Sequence, residues 1–250
     1  MKVVQSKDTR GACRAFTESM LSSIAAHAAP FFTVAVSGGS TALFLFACWR
    51  EEYFSKMPWQ RIRLFWVDER YVPANSAENN YYQAERSFLH LGLIPSMQIF
   101  RIRTDMPIDD SCKMYRSVID LYVEKSPDGF PCFDLIFLGV GDDGHIASLL
   151  PLDYQRFIQT TVWIATTFHP ERQESRITLT YPLLNHASQL FFLVVGDNKR
   201  PIVAKMTDQD SHPEYPFGCI QMCFGVPVLF TDVSIGGLHT DEIRCTFEEN

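Results

Sequence analysis

One glycine-rich loop, Gly139-Val140-Gly141-Asp142-Asp143-Gly144-His145-Ile146-Ala147-Ser148-Leu149-Leu150-Pro151, brings a histidine and two aspartates together. An imidazole changes charge at about pH 5 to 8, so it can take a proton from water near neutrality. A carboxylate in the same loop can orient the ring, and by spacing alone either Asp142 or Asp143 can do so. The glycines leave the ring accessible. A short helix starting near His145 would add the positive end of its dipole, which favours a neutral imidazole. The other histidines (His27, His90, His169, His186, His212 and His239) have no such company and read as structural or exposed.

Three further clusters carry usable chemistry. Asp68-Glu69-Arg70 follows an apolar run; a carboxylate there can orient water or sugar hydroxyls, and a guanidinium can hold an anion bidentately. A solvated strand end with an internal ion pair is the alternative. Ser37-Gly38-Gly39-Ser40-Thr41 can bend tightly and turn its N–H groups toward an anion at a helix N-terminus. It lacks both the GxGxxG pattern and a Walker lysine, and it equally fits an ordinary capped turn. Arg176, Lys199 and Arg200 supply local positive charge; for Arg200 simple surface charge is preferred.

Apolar runs at 31–36, 63–67, 133–140, 162–167, 177–181, 190–195 and 226–230 read as strands. Helical periodicity is expected over 42–54 and 79–91. Polar, proline-containing stretches at 73–80 and 207–217 read as surface loops. Strand, glycine turn and helix repeat, which predicts an α/β fold with a mainly parallel sheet. In such sheets ligands bind beyond the carboxyl ends of the strands, where these polar clusters fall, except Arg176, which precedes the run at 177–181. The expectation is one domain over 1–250.

The 250 residues are 46% hydrophobic, which excludes a disordered chain, and 22 Lys+Arg against 29 Asp+Glu give a net charge of −7. No nucleic-acid or anionic-membrane partner is expected of such a charge. The seven cysteines (Cys13, Cys48, Cys112, Cys132, Cys219, Cys223 and Cys245) form no CxxC pair and read as reduced thiols of a cytoplasmic protein. No signal peptide is visible. The apolar run at 43–49 is far short of the roughly 20 residues that span a bilayer. No HExxH or other metal-ligand set stands out, so neither metal nor cofactor is expected.

Together, VSGGSTALF (36–44), WVDERYVP (66–73), ENNYYQAERSFL (78–89), FDLIFLGVGDDGHIASLLP (133–151) and RITLTYPLLNHASQLFFLVVGDNK (176–199) resemble the 6-phosphogluconolactonase family. That family shares a superfamily with glucosamine-6-phosphate deaminase/isomerase. The resemblance implies a Rossmann-like α/β/α sandwich. It implies hydrolysis of 6-phospho-D-glucono-1,5-lactone to 6-phosphogluconate, a step of the oxidative pentose phosphate pathway, with a small phosphorylated sugar lactone as partner. It also implies His145 as catalytic base with Asp143 as the matching aspartate, Asp68 as active-site acid and Arg70 as substrate-holding arginine. Gly38, Gly39, Ser40, Thr41, Arg176 and Lys199 match its phosphate site.

The chain departs from the family pattern at Ala42, where proline is usual, at Arg200, where alanine is common, and after about Met206. Two alternatives fit the residues less well. A deaminase/isomerase needs a glutamate where this chain has Leu150, and that relative carries tyrosine in place of Arg70. A non-catalytic sugar-phosphate sensor needs an output segment, and no basic helix precedes Phe31. A monomer or small homo-oligomer is compatible with everything above.

Overall fold

The computed structural model describes residues 1–208 and 212–235, so Cys245, His239 and part of the 207–217 loop lie outside the described residues. In chain order the elements are β1 (Lys2–Gln5), α1 (Thr9–Ala26), β2 (Phe32–Val36), α2 (Gly39–Glu52), β3 (Ile62–Trp66), β4 (Asp68–Arg70), α3 (Asn80–Ser87) and β5 (Ile99–Phe100). There follow α4 (Ile108–Tyr122), β6 (Leu135–Leu138), β7 (Ile164–His169), β8 (Glu174–Leu179), α5 (Tyr181–Asn185), β9 (Leu190–Val194), α6 (Arg200–Thr207) and β10 (Val228–Thr231).

The runs FTVAV, LIFL and LFFLV form β2, β6 and β9, and every residue in them is buried. Strands of this kind, apolar but for Thr33 and buried along their whole length, belong in a parallel sheet covered on both faces. They form the centre of a seven-stranded sheet of order β1-β10-β9-β6-β2-β3-β5, parallel throughout. The expected α/β architecture is what the chain adopts. From β2 the chain moves outward to β3, whereas from β6 it moves the other way to β9, so the winding reverses between β2 and β6. Ser37 joins the two strand ends there: its N–H and Oγ both donate to Phe137 O (3.1 Å each), and Gly139 N donates to Ser37 Oγ (3.2 Å).

A second sheet, β4-β8-β7, is antiparallel and was not anticipated from the sequence. Val67 joins the sheets. Its N–H donates to Val36 O (3.0 Å) in the parallel sheet, and its carbonyl accepts from Leu179 N (2.8 Å) in the antiparallel one. Just before it, the fully buried Tyr115 of α4 accepts from Trp66 N (2.9 Å) and donates to Trp66 O (2.7 Å). One phenol thus replaces a neighbouring strand where β3 leaves its sheet.

Several local expectations are corrected. The helix expected over 42–54 starts earlier, as α2, and that over 79–91 is α3 followed by a separate turn of 3-10 helix. The 73–80 loop is not all surface, since Asn79 and Asn80 are each 1% exposed. No helix starts at His145: Ile146 bridges both Val140 and Leu149, and Ala147 takes a positive φ of 50°. Burial of Ile146 and Leu149 outweighs the helical propensity of the stretch. Among the described residues, no helix is long and apolar enough to cross a membrane.

Tyr115→Phe removes the donor and the acceptor that serve Trp66, leaving two buried backbone groups unpaired. The expected result is a loss of about 1–3 kcal/mol in urea unfolding with the fold retained. An unchanged midpoint would show that Trp66 finds other partners.

Candidate active site

Apart from Arg176, which lies in β8, the clusters singled out in the sequence follow strands β2, β3, β6 and β9, beside the point where the winding reverses. The tightest contact among them is in the loop after β6. Asp143 Oδ1 lies 2.6 Å from His145 Nδ1 and also accepts from His145 N (3.2 Å). A carboxylate there accepts, so in the neutral ring the proton belongs on Nδ1 and the lone pair on Nε2. The His145 side chain is 30% exposed. Burial would raise the Asp143 carboxyl, but the hydrogen bond and charge of His145 outweigh it and hold the group down at about 2. No helix starts at His145, and among the described residues Asp143 is the hydrogen-bond partner of the imidazole. Asp142, the other candidate, turns away and meets Lys199 Nζ at 2.7 Å.

The loop is closed by Gly141 N donating to His145 O (2.9 Å) and Gly144 N to Gly141 O (3.0 Å). A β-carbon on Gly141 would lie 2.1 Å from His145 Nδ1 and 2.5 Å from Asp143 Oδ1. Only glycine admits that pair. Beyond the histidine, Ser148 is completely buried; its hydroxyl donates to Asp68 Oδ2 (2.6 Å) and its N–H to Thr178 Oγ1 (3.1 Å). Ser148 therefore fixes the histidine loop to the antiparallel sheet. The segment around 213–217 braces the same loop, with Phe217 N donating to Gly144 O (3.3 Å), Tyr154 Oη to Pro213 O (2.7 Å) and Tyr181 Oη to Pro216 O (2.8 Å).

In the antiparallel sheet Asp68 pairs with Thr178 and Arg70 with Arg176, so these four share one face. Two arginines directly opposite repel. Glu174, two residues before Arg176 and on its face, accepts from both Nε and Nη2 of that arginine, and the pair is almost wholly buried. Arg176 thus lies inside β8 rather than ahead of it. Arg70 donates through Nη1 to Glu78 O (2.7 Å), while its Nε is buried without a partner among the described residues. Its Nη2 lies 3.9 Å from where a side chain on Gly39 would begin, so Arg70 reaches the glycine loop. Burial first, then the charges of Arg176 and Arg172, hold His169 below its ordinary value.

Gly38 precedes the first turn of α2, with Gly39, Ser40 and Thr41 inside it. A side chain on Gly38 would meet Asn80 Oδ1 at 1.8 Å, so the loop and the start of α3 are packed in contact. Asn80 Nδ2 in turn donates to Asp68 O (2.9 Å). Glu69 points to the opposite face, fully buried, and accepts from the N–H groups of Arg70 (2.8 Å), Asn80 (2.7 Å) and Tyr81 (2.9 Å). Burial pushes its carboxyl up to about 8, against the pull of those three donors. Lys199 Nζ donates to Val140 O (2.8 Å), which brings it beside the histidine loop. Arg200 is exposed and paired with Asp197 Oδ1 at 2.9 Å, as surface charge.

The structure therefore gathers Asp68, Arg70, Arg176, the glycine loop, Lys199 and the His145–Asp143 pair along one edge. Sequence reasoning assigned no separate role to Glu69, Asn80, Ser148 or Glu174. The first three stand inside quoted motifs. Ser148 and Glu174 reveal themselves only by contacts 80 and two residues away in the chain.

Fold and site define a class: a doubly wound α/β protein with an imidazole–carboxylate pair and clustered cations at its switch point. The chain belongs to the glucosamine-6-phosphate isomerase/6-phosphogluconolactonase family, whose model matches residues 6–226. It is 32% identical to a 6-phosphogluconolactonase of Treponema pallidum (strain Nichols) over 183 residues, covering 73% of this chain and 75% of the relative. It is 36% identical over 176 residues to the 6-phosphogluconolactonase of Nostoc sp. (strain PCC 7120), covering 70% and 71%. The crystal structure of the devB protein superposes with a TM-score of 0.82 at 26% identity, covering 92% of this chain and 95% of that one.

Gly141→Ala tests the geometry of the loop. The added methyl should drive the ring from Asp143, so nitrogen-15 spectra should change from one Nδ1-protonated tautomer to a mixture, with the melting temperature near that of the parent. A parental imidazole spectrum would contradict the packing described.

Proposed function

We propose that this chain hydrolyses 6-phospho-D-glucono-1,5-lactone to 6-phosphogluconate, in the oxidative pentose phosphate pathway, using His145 as the base that activates water. Family membership supports the substrate class. The observation that carries the mechanism is the 2.6 Å contact of Asp143 with His145 Nδ1, which leaves Nε2 as the proton acceptor.

In the proposed reaction the phosphate lies against Gly38, Gly39, Ser40, Thr41, Arg176 and Lys199. Water gives its proton to His145 Nε2 as its oxygen attacks C1, and the carbonyl electrons move onto oxygen. Arg70 steadies that developing charge or the ring oxygens, and Asp68, held by Ser148, positions the sugar. When the tetrahedral intermediate collapses, the C1–ring oxygen bond breaks and the imidazolium returns its proton to the ring oxygen. The product acid then ionises. Asp143, held at about 2, stays anionic throughout and stabilises the imidazolium.

A deaminase/isomerase reaction is disfavoured at two positions. That relative's signature has a glutamate five residues after the histidine, where the buried Leu150 stands, and a tyrosine where this chain has Arg70.

General base catalysis typically contributes about 10² to 10⁴ in rate. His145→Ala should lower kcat by about that factor, measured on freshly generated lactone and corrected for spontaneous hydrolysis, with an unchanged melting temperature. Parental turnover in the variant would remove His145 from the reaction.

A further inference from the structure

Two cations of the proposed phosphate site each meet a carboxylate of this chain, in opposite surroundings. Arg176 and Glu174 are 3% and 8% exposed, and both guanidinium contacts go to one carboxylate oxygen. That pair is part of β8 and offsets the repulsion between Arg70 and Arg176. The Lys199 side chain is also largely covered, at 14% exposure, but Asp142 opposite it is 71% exposed. Among the described residues, the Asp142 side chain has no hydrogen-bond or ion-pair partner besides Lys199. Lys199 does not need Asp142 for its position, since Nζ already donates to Val140 O at 2.8 Å.

We propose that Asp142 is a displaceable counter-ion of the phosphate site, occupying Lys199 until the phosphate of the substrate replaces it. This rests on the function proposed above and extends it to selection between phosphorylated and unphosphorylated lactones. A phosphate on Lys199 with Asp142 still in place would put two anions in contact around one ammonium, in a chain already carrying −7. The exposed carboxylate can turn into solvent, where the buried Glu174 cannot follow. Breaking a pair whose carboxylate already lies in solvent, as Asp142 does, changes an equilibrium constant by up to about fivefold. Phosphorylated ligands bear that factor; unphosphorylated ones, which leave Lys199 alone, do not.

Asp142→Asn keeps an oxygen for Lys199 and removes only the charge. At low ionic strength its KM for 6-phosphogluconolactone should fall about two- to fivefold, with a smaller shift for unphosphorylated gluconolactone, and added salt should shrink the difference. An unchanged or higher KM, or equal shifts for both lactones, would overturn the proposal. Inorganic phosphate titrated calorimetrically into both proteins reads the same effect without turnover. Tighter binding to the variant upholds the role of Asp142 even if the parent fails to open the lactone, a failure that would fall on the proposed reaction instead. Equal or weaker binding overturns it.

Discussion

The hydrogen bond from the His145 ring to Asp143 is the interaction around which the site is arranged. A base that must accept a proton from water needs one nitrogen empty, and a carboxylate on the opposite nitrogen enforces that state. The surrounding structure reads as a set of conditions for keeping the bond. Gly141 has no side chain to displace the ring, the turn is closed by its own backbone, and Phe217 braces Gly144 from outside. Ser148 then couples the loop to Asp68, so the carboxylate expected to hold the sugar and the imidazole expected to activate water are fixed to each other.

A second constraint is electrostatic. An acidic chain that handles a phosphate must concentrate positive charge in one place without destabilising its fold. Strand pairing sets Arg70 directly opposite Arg176, and the small antiparallel sheet tolerates this because Glu174 balances one of the two. Arg70 keeps a buried Nε without a partner among the described residues, next to the glycine loop. Neutralisation is thus uneven, and the residual field points where the strands of the main sheet end. Helix α2 starts at the same place, adding the N–H groups of its first turn.

Much of this was legible in the sequence wherever a long apolar run led into a glycine or charged cluster. β2, β6 and β9 are continuous hydrophobic segments, and the loops after β2 and β6 carry the glycines, so the edge that bears the site followed from local pattern. The antiparallel sheet did not. β4 is the charged tripeptide Asp68-Glu69-Arg70, which has no alternation to mark a strand, and its partner β8 lies more than a hundred residues later. Asn80 looked like loop polarity, yet it is buried because α3 packs on the glycine loop. The absent helix after His145 has the same origin: Ile146 and Leu149 are drawn into the core, and tertiary burial overrides local preference.

The most direct test is the turnover of Asp143→Asn. An amide at this position can donate to Nδ1, which moves the ring proton to Nε2 and leaves no base facing water. Loss of the orienting carboxylate in a comparable hydrolytic site costs about 10⁴ in kcat. The expectation here is a fall of at least about a hundredfold in kcat with KM little changed and the fold intact. Retention of parental kcat in a correctly folded Asp143→Asn protein would contradict the claim that this carboxylate sets the imidazole as the base.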